Sequence, residues 1–261
     1  FMASELAARQ RRQEERLLAR HAGPSGEFDL AGWCEVCEGL TNFRVDRLWG
    51  GVTRPDGRWV PNWRERGVCA CCHLNTRQRV VAARVRDAVR ARSPSPAAVY
   101  LTEQVTPIYR WLVHHLPGAQ WTGSEYFGPD VPGGSVNAAG IRHEDVERLS
   151  FPDGAFDLVV SNDVLEHVVD PARALGEFLR VLRAGGSLFM TIPFHTDLAR
   201  TRTRARITPA GIVHDLPAEF HGNPVSEEGS LVFTDFGWDL LERMRGIGFR
   251  DIELHLYWAE T

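Results

Sequence analysis

LSFPDGAFDLVVSNDVLEHVVDPARALGEFLRVLRAGGSLFMTIP, residues 149–193, decides the fold. Pro152-Asp153-Gly154 marks a turn, and Phe156 to Ser161 is a short apolar run with β-branched residues, which predicts a buried parallel strand. From Pro171 to Leu182 apolar residues recur at helical spacing (Ala174, Leu175, Phe178, Leu179, Leu182). Pro171 suits a first helical turn, and Gly185-Gly186 is expected to stop the helix. The run SLFMTIP then predicts the next strand. Strand, crossover helix and parallel strand make a βαβ unit, whose ligands sit beyond the carboxyl ends of the strands.

Outward from this unit the same alternation continues. AVYLTEQ reads as a strand, TPIYRWLVHHL as a helix, QWTGSEYF as a strand and AGIRHEDVERL as a short strand and turn, so residues 97–261 predict one α/β domain. His195 to Ser230 shows no clear period and predicts an inserted loop or small cap. Phe236 to Met244 reads as a helix ending near Gly246-Ile247-Gly248, and Arg250 to Trp258 as a terminal strand. On the N-terminal side, residues 1–30 predict a mostly polar helix over Ser4 to His21, exposed or packed on a partner, broken by GPSG. Residues 31–92 hold all five cysteines and a connecting helix over Leu74 to Arg92, with SPSP at 93–96 as the boundary.

The 261 residues, 43% of them hydrophobic, suffice for one large α/β domain and a small appendage. A net charge of -4 gives no overall reason to expect a polyanion partner, so nucleic acid is not the expected ligand. No run approaches the ~18 apolar residues of a membrane span. The N-terminus is Arg/Glu-rich where a secretory signal would be apolar, and Met2 reads as the original start; a cytoplasmic location is the expectation. All 30 basic residues are Arg, which excludes a catalytic lysine.

Cys34-Glu-Val-Cys37 and Cys69-Ala-Cys-Cys72 form two C-x-x-C pairs separated by 31 residues. Each pair makes a tight knuckle whose thiolates can share one tetrahedral ion, so a structural Zn2+ site is the natural reading. A segment this rich in Trp, Gly, Pro and Arg lacks the volume for its own apolar core, and metal binding would supply folding free energy. Cys34, Cys37, Cys69 and Cys72 are the expected ligands because the second pair then repeats the first spacing; Cys71 competes for the fourth place. Cysteines without metal are the alternative.

FDLVVSNDVLEHVVDP followed by LRVLRAGGSLFMTIP resembles the fourth strand, following loop and fifth strand of class I S-adenosylmethionine-dependent methyltransferases, in particular the type 11-like small-molecule branch. The resemblance implies a doubly wound, seven-stranded, mostly parallel sheet with helices on both faces, a Rossmann-like methyltransferase fold carrying a small N-terminal zinc-binding domain. Four-cysteine zinc domains are similarly attached to some sugar and natural-product methyltransferases. S-adenosylmethionine is the implied cofactor. By position in the family pattern, Glu125 would accept the ribose hydroxyls, Asp145 the adenine amino group, and Val146 would offer its backbone amide to the ring. Asn162 and Asp163 would face the methionine moiety, and Glu103 holds the place of the strand-end acid. The chain departs from the pattern after the first strand, where VYLTEQVTPIYRWL has no glycine turn; Thr102, Gln104 and Thr106 would bond the methionine groups instead.

Methyl transfer is an in-line displacement, so positioning supplies much of the acceleration and a base is needed only when the acceptor must lose a proton. His195, after the fifth strand, is the first candidate base and His221 the second, with His167, His214 and Glu219 near the same cleft. Residues 164–167 otherwise read as helix and packing. Arg200, Arg202, Arg204 and Arg206 alternate and would project on one side of an extended chain, as a clamp for an anionic group or as a solvated edge. The expected substrate is a small molecule such as a sugar or secondary metabolite, and a homodimer is left open. Two alternatives stand beside this reading: the same fold catalysing another reaction or none, favoured by the missing glycines, and a zinc-dependent nucleic-acid-binding or RNA-modifying protein.

Overall fold

The computed structural model describes residues 2–21, 26–48 and 50–255. They divide into two compact units, one running to Ala88 and the other from Val89 to Glu253. No helix among the described residues is long and apolar enough to cross a membrane.

The first unit contains α1 (Met2–His21), β1 (Phe28–Cys34), β2 (Gly39–Val45), β3 (Gly51–Thr53), β4 (Trp59–Pro61), β5 (Val68–Cys69) and α2 (Thr76–Arg90). Antiparallel pairing in the order β1-β2-β5 sets Cys34 opposite Gly39 and Phe43 opposite Cys69. This register carries the two cysteine pairs to the same end of the small sheet. Helix α1 is covered by its own unit: Leu17 is buried with Phe28, Leu30 and Val45, and Leu18, Phe43 and Trp63 pack around them. Val36, Leu74, Val81 and Val85 are buried in the same unit, whose small size still favours a further staple.

The second unit is built on β6 (Ala98–Leu101), α3 (Pro107–His115), β7 (Gln120–Gly123), β8 (Phe156–Asn162), α4 (Pro171–Val181) and β9 (Leu182–Thr191). The strands are all parallel, in the order β7-β6-β8-β9. The chain steps outward from β6 to β7 and then returns across β6 to β8, so the strand order reverses between β6 and β8. In open α/β sheets that reversal opens a crevice at the carboxyl ends of the strands. Tyr100, Val159, Leu175 and Phe178 are almost wholly buried in the core, which α4 joins through its apolar face and α5 (Leu240–Ile247) through Leu240 and Met244. Both crossover helices begin as the sequence leads one to expect. Thr106 caps α3 and Asp170 caps α4, each followed by Pro at the first helical position.

The end of α4 differs from expectation. The helix stops at Val181, with Leu182 already extended, and the two glycines lie inside β9, where the register with β8 slips between Phe156 and Leu158. Gly185 takes φ +76° there. It serves a bulge, not a helix terminus.

The sheet has four parallel strands among the described residues in place of seven. Strand β7 ends at Gly123, and the Gly/Pro-rich segment after it makes only isolated bridges, Glu125 to His143 and Val136 to Arg142, where a further short strand is expected. Residues 250–255 form no strand, and the rest of the expected terminal strand, to Trp258, lies outside the described residues. The segment expected to be an irregular insertion is instead a set of two-stranded antiparallel ladders. They are formed by β10 (Arg202–Thr203), β11 (Ala205–Thr208), β12 (Gly211–His214), β13 (Phe220–Asn223), β14 (Ser226–Leu231) and β15 (Thr234–Asp235), paired β10-β15, β11-β12 and β13-β14. Strand β12 is exposed along its whole length, so no buried face imposes the apolar alternation that reveals a strand in sequence.

Replacing Phe178, whose side chain is wholly buried on α4, by alanine is expected to lower the stability of the second unit by about 3–5 kcal/mol. Urea unfolding monitored by circular dichroism measures this; a loss below about 1 kcal/mol would show that the core does not close around α4.

Candidate cofactor and metal sites

At the β6/β8 crevice the structure gathers several of the residues expected to hold a cofactor. Glu103 follows β6 and accepts a short hydrogen bond from the side-chain amide of Asn162, the last residue of β8. Asp163 follows in the left-handed region, φ 51°. Its carboxylate accepts the Thr191 hydroxyl at 3.0 Å, and its backbone N–H donates to the Thr191 carbonyl at 2.9 Å. A non-glycine residue in that conformation carries a local cost, which the ties to β9 hold in place.

Glu125 is buried just beyond β7. Its Oε1 accepts the backbone N–H groups of Gln104 at 2.7 Å and Val105 at 2.9 Å. Burial raises the Glu125 carboxyl above the ordinary carboxylate range, against the lowering effect of those two N–H donors. The loop without glycines is therefore gripped by an acid. It is also fixed by the Gln104 side chain, which donates to the Gly140 carbonyl at 3.0 Å and accepts the Arg142 N–H at 2.9 Å. No residue from Thr102 to Thr106 takes a positive φ, so this backbone has no steric need for glycine.

Thr102 and Thr106 have structural partners. Thr102 donates to the Ser161 hydroxyl at 3.4 Å, and Thr106 caps α3 by accepting the Tyr109 N–H. Asp145 closes a tight local turn, accepting the Glu147 N–H at 2.9 Å. The Val146 side chain belongs to the core. Glu103, Asn162, Gln104 and Glu125 form one connected set, and Asp163 adjoins it.

The two candidate bases sit in adjacent clusters joined by Arg204, which pairs with Asp235 at 2.9 Å and with Glu219 at 3.0 Å. His195 Nε2 lies 3.7 Å from the buried carboxylate of Asp235. Asp235 also receives Arg202 at 2.6 Å and Arg204 at 2.9 Å. Burial alone would raise the Asp235 carboxyl, but the hydrogen bonds from Arg202 and Arg204 outweigh it and hold the group below its ordinary range. Arg206 pairs with Asp215 at 2.9 Å. Arg202, Arg204 and Arg206 thus bind acids of their own segment, which sequence reading missed because those acids lie 9 to 33 residues along the chain.

His221 sits 3.6 Å from the buried Glu166 and 3.3 Å from Glu219. Chiefly through Glu166, and against burial, its pKa is raised above the ordinary value. His167, expected near the same cleft as His221, does lie beside it, and Glu166, expected only to pack, joins them. The signal was present in the sequence as an acid and an imidazole directly after a strand tip.

In the first unit the four expected sulfurs converge. Cys34 and Cys72 Sγ lie 3.9 Å apart, Cys37 and Cys69 3.7 Å, and all four are within 4.8 Å of one another. Four sulfurs at about 2.3 Å from a tetrahedral ion would stand roughly 3.8 Å apart. The donor set therefore fits Zn2+. Each knuckle ends in a left-handed residue, Glu38 at φ 54° and His73 at φ 60°, so the Cys69/Cys72 pair repeats the Cys34/Cys37 geometry. Cys71 turns outward and is exposed, with Thr41 Oγ1 at 3.5 Å from its sulfur. Burial opposes ionisation of Cys69, but the backbone N–H groups of Cys72 and Cys71 and the Thr41 hydroxyl outweigh it and bring its thiol down to about 6. Cys37 is pushed up to about 12 by burial and the neighbouring thiols.

Residues 118–190 match the family model described as a methyltransferase domain. The match takes in Glu125, Asp145, Asn162 and Asp163 and begins after the glycine-free loop. A probable S-adenosylmethionine-dependent methyltransferase of Mycolicibacterium smegmatis is 33% identical over 104 residues, covering 33% of this chain and 40% of that protein. The demethylmenaquinone methyltransferase of Thermus thermophilus is 35% identical over 83 residues, covering 30% of this chain and 38% of that protein. The matches span less than half the length of these curated relatives. Among solved structures, an S-adenosylmethionine-dependent methyltransferase from Mesorhizobium loti aligns over 63% of this chain and 80% of its own, with 19% identity and a TM-score of 0.37.

Two outcomes are expected. Cys37→Ser lowers the zinc content of the purified protein by one ion per chain and opens the first unit to proteolysis, whereas Cys71→Ser changes neither; elemental analysis and limited digestion measure both. Asp235→Ala leaves Arg204 without its buried partner and costs about 3–5 kcal/mol at neutral pH. Because the folded pKa of Asp235 is depressed, its contribution is present above the unfolded value of about 3.9 and is lost as pH falls through the folded one. The stability gap between wild type and variant, measured by urea unfolding, therefore narrows on acidification below about pH 4.

Proposed function

We propose that the second unit binds S-adenosylmethionine at the β6/β8 crevice and transfers its methyl group to a small-molecule acceptor, while the first unit folds around a structural Zn2+. The observation carrying this reading is the juxtaposition of Glu103, Glu125 and Asn162 where the strand order reverses, beside a segment that matches methyltransferase domains. Two acids and an amide at that edge suit a ligand with an ammonium group and a vicinal diol.

When bound, the cofactor supplies an electrophilic methyl group on a sulfonium centre. The chain's own residues bind and orient. Glu103, aligned by Asn162, presents a carboxylate to the ammonium end. Glu125 holds the loop and accepts the ribose hydroxyls. His195, whose Nε2 lies 3.7 Å from Asp235, is the first candidate to take an acceptor proton. The small-molecule class is supported by similarity to the demethylmenaquinone methyltransferase of Thermus thermophilus.

A second reading, the same fold used for another reaction or for none, is favoured by the engaged Gln104 side chain, which ties the loop to residues 140 and 142. Calorimetric titration with S-adenosylhomocysteine separates the two. Binding to the wild type is expected, with a loss of about 10- to 100-fold in Glu125→Gln, the range of a charge-assisted hydrogen bond of ~1.5–3 kcal/mol. Because burial disfavours the charged form of Glu125, the same variant is expected to be no less stable than wild type. Undetectable binding to the metal-loaded wild type contradicts methyl transfer and supports the second reading.

A further inference from the structure

We propose that Glu166, His167 and His221 form a second metal site, for a divalent first-row transition ion, separate from the four cysteines. Glu166 and His167 lie in the 3-10 turn Leu165–His167 that directly follows β8, and His221 is brought to them by β13 of the inserted ladders.

The Glu166 carboxylate is 1% exposed, and neither of its oxygens has a hydrogen-bond partner. An unpartnered buried carboxylate is costly and attracts a cation. Both imidazoles present a nitrogen to it. His167 Nδ1 lies 2.9 Å from the Leu231 carbonyl, which can only accept, so the proton sits on Nδ1 and the Nε2 lone pair points inward, 3.6 Å from Glu166 Oε1. His221 Nε2 donates to the Glu219 carboxylate at 3.3 Å, leaving Nδ1 3.6 Å from the same oxygen. An outward N–H on a carbonyl or carboxylate and an inward lone pair is the arrangement that orients metal-bound histidines.

The rings cross at 88° with centroids 5.0 Å apart, and one ligand atom from each of the three residues lies within 4.8 Å of the others. A tetrahedral ion with bonds of about 2.1 Å needs ligand separations of roughly 3.4 Å, so binding requires only a small contraction. Two imidazoles and one carboxylate suit Zn2+, Mn2+ or Fe2+ and not Mg2+ or Ca2+. Three protein ligands leave coordination positions for water or an oxygen of a substrate. The competing arrangement is an imidazolium at His221 paired with Glu166 and no metal.

Zinc content decides between them. The 261-residue protein saturated with Zn2+ and dialysed free of excess is expected to hold one ion per chain more in the wild type than in His221→Ala or Glu166→Gln, with circular dichroism showing both variants folded. Cys37→Ser, which removes the other ion, is expected to keep this one. Equal zinc in wild type and the two variants overturns the proposal. Should a variant fail to fold, titration of the wild type alone decides: saturation at two equivalents supports the site, and saturation at one overturns it. The outcome is independent of cofactor binding, so failure here leaves the methyl-transfer reading standing.

Discussion

The hydrogen bonds from the backbone of Gln104 and Val105 to the buried Glu125 carboxylate are the constraint on which the cofactor crevice depends. They connect the loop after β6, which borders the proposed β6/β8 crevice, to the chain leaving β7. Glycine turns at such loops allow the backbone to approach a ligand closely and to take positive φ. Here the loop avoids positive φ altogether, and an acid and a glutamine side chain fix its path. The absence of glycine is thus a different way of holding the loop, with Glu125 serving both as its anchor and as the proposed ribose acceptor.

Buried acids organise the inserted ladders as well. Asp235, at the end of the inserted ladders, collects Arg202, Arg204 and His195, while Glu166, after β8, faces His167 and His221. In both clusters an acid inside the unit fixes segments whose exposed strands bury little apolar surface. The Asp235 cluster is electrically satisfied by its arginines. The Glu166 cluster has imidazoles at 3.6 Å and no hydrogen bond to either carboxylate oxygen, which is why a metal ion is proposed for the second and not for the first.

The βαβ core was legible in the sequence because each element had a buried face that imposed its period: β8 through Phe156 and the apolar run Leu158 to Val160, α4 through Ala174, Leu175 and Phe178. The start of α4 was legible too, from Pro171, whereas Thr106, expected to bond the cofactor, is the cap of α3. The glycines at 185 and 186 misled, since the same residue type ends helices and forms bulges and only the partner strand decides which. The four-residue knuckles at Cys34–Cys37 and Cys69–Cys72 were readable from spacing alone. The exclusion of Cys71 needed the left-handed residues at 38 and 73. The ladders after His195 were hidden by their exposure, and the partners of Arg202 and Arg204 by sequence distance. The number of strands was expected from resemblance, which does not reveal that Gly/Pro-rich residues 128–140 would take the place of a strand.

A crystal structure of the zinc-loaded protein with S-adenosylhomocysteine tests the central claim most directly. The account predicts ligand density at the β6/β8 crevice, with the ribose hydroxyls on the Glu125 carboxylate and the Gln104 and Val105 amides still bound to Oε1. Ligand bound elsewhere, or a crevice still closed over Glu125 at saturating ligand, would contradict it.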